Sequence, residues 1–295
     1  MDSPTATLIQ ILRDRVNKLV SEGNYDEAVH AASAAVEKAQ QALSSDLESI
    51  DEFANTLELR GELYRSIGRP EDAREDFKGA IDQLDNRPDR QLQIARLHAT
   101  LGAVYDDLGQ TDRAGSFWEK ALELFEKQEP PSPLDVALMA NNLAYLRKTS
   151  GDIDGAETYF LKALQIYHEL LGPDHEETAT VSNNLGALYH ASGYFEQARE
   201  MHMMALEARR QKLGDEHPDT AQSHNNLALA LLETGDRSWA RRHFEKSLAA
   251  FEQLGAPYRQ DLEAVADNFC SFLRAEGETT TAERIEGKLR ELVGA

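Results

Sequence analysis

The stretch that decides the fold runs from Asn183 to Ala198 and reads NNLGALYHASGYFEQA. It holds an apolar run at helical spacing, a glycine at 193, and an alanine five residues later. The same order returns along the whole chain. Gly23, Gly68, Gly109, Gly151, Gly193, Gly235 and Gly277 are separated by 45, 41 and then repeatedly 42 residues. Ala28, Ala73, Ala114, Ala156, Ala198, Ala240 and Ala282 each follow their glycine by five. Twelve residues after it stand Ala35, Ala80, Ala121, Ala163 and Ala205, then Ser247 and Leu289. Nine residues after it, Phe77, Trp118, Phe160 and Phe244 are bulky. Seven residues before it the chain is small at Gly61, Gly102, Ala144, Gly186, Ala228 and Cys270, and only Val16 departs.

Apolar residues three and four apart on both sides of each glycine define two amphipathic helices. The glycine ends the first, where a left-handed backbone is needed and a side chain would be strained. Small residues on either side let the two helices approach closely. One such hairpin buries only one face of itself, so neighbours must stack and share a core. The chain is therefore predicted to be all-α, a solenoid of about seven helix hairpins forming one domain over 1–295. The repeats are placed near 8–40, 53–86, 94–128, 134–171, 176–213, 218–254 and 261–293.

The connectors carry helix stops and starts. Gly172 and Gly214 suit the end of the second helix, Asp174 with Glu177 suits an N-terminal cap, and Pro218 suits a first-turn position. The segment Gln128–Pro133, with prolines at 130, 131 and 133, reads as a helix breaker, with a bend in the stack as the alternative.

Leu185, Gly186, Tyr189, Ala198 and Ala205 resemble the signature of the tetratricopeptide repeat, with His202 where that signature has an aromatic residue. The usual period is 34 residues; the longer period here, the LG-x-x-H connectors at Leu171–His175 and Leu213–His217, and the Thr-Ala lead into Asn-Asn-Leu resemble the kinesin-light-chain subtype. That closer likeness covers 134–256. The other repeats carry Arg13/Asp14, Glu58/Leu59, Ala99/Thr100 and Asp267/Asn268 where repeats four to six carry an Asn pair. The resemblance implies a right-handed superhelix whose concave groove is lined by the first helix of each hairpin. The groove residues it implies are Asn141, Asn183 and Asn225, with Tyr145, Lys148, His190, Arg65 and Arg274. The second amides, Asn142, Asn184 and Asn226, are assigned to ties between repeats, with groove contact as the alternative.

Composition narrows the function. Fifty-two acids against thirty-one bases give a net charge of −21, spread evenly along the chain. Such a field repels phosphate backbones, so nucleic acid is an unfavourable partner. No apolar run approaches the length that spans a bilayer, so no membrane partner is expected. Lone Cys270 cannot form an intramolecular disulfide, which suits a reducing, cytoplasmic setting. No phosphate-cradling loop or nucleophile elbow is present. The histidines follow the repeat, His175 with His217 and His98 with His224, and do not converge. No catalytic residue, metal or cofactor is expected. The reading is a non-catalytic adaptor for a protein or extended peptide. The resemblance to stand-alone bacterial kinesin-light-chain-like proteins points further, to a tubulin-like filament. The alternative is a peptide-sensing regulator or chaperone-type receptor. Oligomeric state stays open, with the first helix serving as a cap or as a dimer contact.

Overall fold

The computed structural model describes residues 3–85 and 87–293. Fourteen α-helices occupy them: α1 (Ser3–Ser21), α2 (Tyr25–Gln41), α3 (Leu47–Ser66), α4 (Pro70–Leu84), α5 (Gln91–Asp107), α6 (Thr111–Glu126), α7 (Pro133–Thr149), α8 (Ile153–Leu171), α9 (Glu176–Ala191), α10 (Phe195–Leu213), α11 (Pro218–Glu233), α12 (Arg237–Leu254), α13 (Arg259–Ala275) and α14 (Thr279–Val293). Short 3-10 turns at Pro88–Arg90 and Ala256–Tyr258 lead into α5 and α13. Asn86, the predicted end of the second repeat, lies outside the described residues. The chain divides into two compact units, residues 1–146 and 147–295.

All seven spacing glycines have positive φ, between 68° and 88°. Each closes its helix in the same way. The glycine N–H bonds the carbonyl three residues back, and the next N–H reaches five back. Gly193 thus donates to His190 and Tyr194 to Tyr189, at 3.2 and 2.9 Å. This pairing satisfies carbonyls that the helix end leaves open. Gly172 and Gly214 cap α8 and α10, also with positive φ. Pro218 opens α11 as expected, behind His217, whose Nδ1 accepts from the Asp219 N–H at 3.2 Å. At the start of α9 the expectation needs correction. The capping position belongs to His175, not Asp174, and its side chain pairs with Glu177.

The small and bulky positions fit each other across the hairpin. A Cβ on Gly61 would sit 3.0 Å from the Phe77 ring, one on Gly102 2.4 Å from Trp118, and one on Gly186 2.8 Å from His202. The rings are buried: Phe77 and Phe244 have no exposed surface and His202 has 2%. Burial of such a side chain contributes about 1.5–3 kcal/mol. Val16, the exception in the small series, is balanced by Ala32 at the bulky position of its own repeat. Both are buried in one cluster with Leu19, Ala28, Ala31 and Leu63. The volumes are exchanged, not lost, which is the kind of substitution a core accepts. In the last repeat Cys270 is buried and its thiol faces the Ala282 carbonyl at 3.6 Å, a packing role.

Candidate protein-binding surface

In the second unit, α10 and α12 pack on α11, and α11 adjoins both α9 and α13. That adjacency brings the amides together. Asn226 Nδ2 donates to Asn183 Oδ1 at 2.9 Å, and Asn226 Oδ1 accepts from Gln222 Nε2 at 3.0 Å. One repeat further on, Asn268 Nδ2 donates to Asn225 Oδ1 at 3.2 Å. In these two steps the second-position amide of one repeat ties to the first-position amide of the preceding one, whereas Asn141 Oδ1 is buried without a hydrogen-bond partner among the described residues. Asn268, standing without a neighbouring partner amide in its own repeat, continues the series. Asn225 is only 4% exposed, so its side chain belongs to the stack more than to the surface. Asn183 and Asn184 are half-buried.

The remaining implied residues divide by surroundings. Arg65 pairs with Asp107 at 3.6 Å, and Arg274 with Glu286 on α14 at 2.5 Å, so both cations already face a carboxylate. Lys148 is half-buried. His190 is half-buried and meets Phe195 edge-on at 5.5 Å. Asn141 and Asn142 are half-buried on α7, while Tyr145 on the same helix is 56% exposed.

α7 also shows what sequence reading missed. Val136, Ala137, Met139, Ala140, Leu143 and Ala144 are buried on one side. Leu134, Leu138 and Tyr145 are exposed on the other, with Asn141 between them in the same stripe. Spacings of four, three and four residues place these side chains on one helical face. A surface helix ordinarily turns polar residues outward, and one that is apolar on both sides has surface left to cover. The signal in the sequence is the recurrence of Leu134, Leu138 and Tyr145 on the face that also carries Asn141.

Two further features arise from burial. Tyr189 donates to Glu157 at 2.7 Å, and burial together with that carboxylate pushes its phenol up to about 12. His224 and His243 place their Nδ1 atoms 2.7 Å apart. Burial lowers both, to about 3 and about 4, and the neighbouring His243 adds to the effect on His224. A hydrogen bond between two Nδ1 atoms needs one that carries its hydrogen and one that does not, so two neutral rings here hold different tautomers. Among the described residues no group of three or more His, Cys, Asp or Glu is arranged to hold a metal ion. No described helix is long and apolar enough to cross a membrane.

The stacked hairpins, the closing glycine turn and the small-against-bulky helix contact together define a helical-repeat interaction protein. A tetratricopeptide repeat model matches residues 52–127, 135–211 and 184–253, and the chain belongs to the tetratricopeptide repeat family. Within it the chain is kinesin-light-chain-like. BtubC (BKLC) from P. vanneervenii is similar, with a TM-score of 0.66 and 25% identity over 78% of this chain and 92% of that one. A putative kinesin light chain with nearly identical repeats from Podospora anserina superposes with a TM-score of 0.59 at 19% identity, over 71% of this chain and 99% of its own. The apo form of RapI shares the fold, with a TM-score of 0.68 at 12% identity over 96% and 97% of the two chains. No curated protein matches the sequence.

Proposed function

We propose that this chain is a scaffold that holds a polypeptide partner against the first helices of its hairpins, with the exposed face of α7 as the main anchor. The observation that supports this most is the stripe Leu134, Leu138 and Tyr145, which are 44%, 46% and 56% exposed. The buried residues of α7 lie on its opposite side, so the stripe is the side left open to a partner. Apolar side chains of a partner cover it, and Asn141 within the stripe supplies a polar contact to orient the chain. Lys148, in the last turn of the same helix, adds a cationic contact. The amides of α9 and α11 mainly keep successive helices in register, with Asn183 the more accessible of the two first-position amides.

The finer reading takes the partner as a tubulin-like filament, supported by likeness to BtubC. Co-sedimentation with purified bacterial tubulin-type filaments tests it, using the wild-type chain, Leu138→Ser with Tyr145→Ala, and the Asn141, Asn183 and Asn225 alanine triple variant. Wild-type chain should pellet with filaments, and the α7 variant should pellet at least ten-fold less. Failure of the wild-type chain to pellet discards the filament. Equal pelleting of the α7 variant moves the contact off this helix.

A further inference from the structure

The repeats provide an internal standard for the buried side of the second helices. Sixteen residues after the closing glycine, the first six repeats carry Ala39, Leu84, Phe125, Tyr167, Arg209 and Phe251. All but Arg209 are apolar or aromatic and at most 5% exposed. Repeat five thus places a guanidinium where its neighbours bury an apolar side chain. Arg209 is half-buried, and burial lowers its pKa, with Asp219 and Glu176 opposing from farther off. Every other half-buried arginine among the described residues pairs with a carboxylate. Arg209 makes no such pair.

What holds Arg209 engages one nitrogen only. Nη1 donates to Ser223 Oγ at 2.8 Å and to the Asp219 carbonyl at 3.3 Å. Ser223 in turn donates to that same carbonyl at 2.8 Å. These bonds fix the side chain between α10 and α11. Nε and Nη2 have no hydrogen-bond partner among the described residues. A neutral amide would serve the tie to Ser223, so the tie does not account for a partly desolvated charge. Nε and Nη2 form an edge that takes a carboxylate through two parallel bonds.

Arg209 lines a cavity of about 300 Å³ between the start of α9 and the end of α10. That size falls in the range of pockets that take a small molecule. Ala179, Ala208 and Leu213 give the cavity an apolar wall, and the two alanines are buried. Its charged lining is balanced, with Arg209 and Lys212 against Asp174 and Glu176. None of the four is spent in an ion pair among the described residues. His175, which pairs with Glu177, completes the lining. Equal free charges of both signs disfavour a purely anionic or cationic ligand and suit one that carries both. We infer that this cavity binds a zwitterionic small molecule of the free α-amino acid class. The carboxylate sits on the Nε–Nη2 edge of Arg209 and near Lys212, and the ammonium lies toward Asp174 and Glu176. The ligand side chain rests on the alanine and leucine wall. The site lies wholly in the second unit and does not depend on the α7 reading.

Isothermal titration calorimetry on the full chain tests this, with L-alanine, L-leucine and L-phenylalanine as probes. The controls are the amide of each, which lacks the carboxylate, and its deaminated acid, which lacks the ammonium. At least one amino acid should bind saturably, with both of its controls at least ten-fold weaker. Arg209→Phe installs the residue that repeats three and six carry at this position. It should therefore fold, melt at or above the wild-type temperature, and lose binding at least ten-fold. Asp174→Asn with Glu176→Gln, both at exposed positions, should weaken the amino acid at least ten-fold and leave its deaminated acid no weaker. Binding by none of the three amino acids, controls as tight as their parents, or unchanged binding in Arg209→Phe would each overturn the inference.

Discussion

Asn226 donates its amide hydrogen to the Asn183 side-chain carbonyl at 2.9 Å, and the two residues lie forty-three positions apart. The bond joins two successive first helices, α9 and α11. Asn268 makes the same contact to Asn225 at 3.2 Å. For Asn183 and Asn225 the first asparagine of the pair is therefore half of a pairing whose other half lies in the next repeat. Replacing one member leaves a partly buried carbonyl without its donor, at a cost of about 1–3 kcal/mol. Asn226→Ala should lower stability by that amount in urea titration. Asn226→Ala combined with Asn183→Leu should recover part of the loss, because no unpaired amide remains. Additive losses in the double variant would refute the pairing.

The contact of Gly102 with Trp118 makes a steric prediction. A methyl on Gly102 would fall 2.4 Å from the indole, which itself donates to the Ala99 carbonyl at 3.1 Å. Gly102→Ala should destabilise by about 1–3 kcal/mol through overpacking. Gly102→Ala with Trp118→Phe should regain a large part of this, since a smaller ring leaves room for the methyl. Thermal melts of the three variants decide it, and the single substitution melting like the wild type would show that α5 and α6 yield.

His202 predicts a pH effect. The ring is 2% exposed, its Nδ1 is buried without a partner among the described residues, and burial lowers it to about 4 from the ordinary 6.5. The unfolded chain therefore binds the proton first as pH falls. Stability contributed at neutral pH is lost progressively between about pH 6.5 and pH 4, by roughly 2 kcal/mol at pH 5. Phenylalanine fills the equivalent place in three other repeats. His202→Phe should raise the melting temperature at pH 7 and flatten its fall between pH 7 and 5. A parallel fall in both proteins would assign the acid sensitivity elsewhere, to His98, His224 and His243, which burial lowers likewise.

Within α3 and α4, Arg60 reaches Asp76 through two hydrogen bonds of 2.7 Å. Asp76 is 5% exposed, so removing it strands a guanidinium that is largely desolvated. Asp76→Ala should cost about 3–5 kcal/mol, whereas Asp76→Ala with Arg60→Met should cost much less. Equilibrium unfolding of the single and double variants measures the difference.

Features that depend on neighbours within one repeat were legible along the chain. A glycine every 42 residues, an alanine five later and a small residue seven before specify a turn, two helices and their contact, all within some thirty residues. Such relations are local, so periodicity makes them legible, and even the family follows from them. The balance of Val16 by Ala32 is likewise written within one hairpin. The tertiary structure alone decided what happens between repeats. The link from Asn226 to Asn183 depends on how one helix slides along the next, and neither residue type fixes that register. Exposure of Leu134, Leu138 and Tyr145 follows from which side of α7 the packing used. The bond from Arg209 to Ser223 likewise crosses from one repeat to the next. Helix propensity and turn chemistry act along the chain; pockets and cross-repeat bonds are properties of the surfaces that stacking brings together.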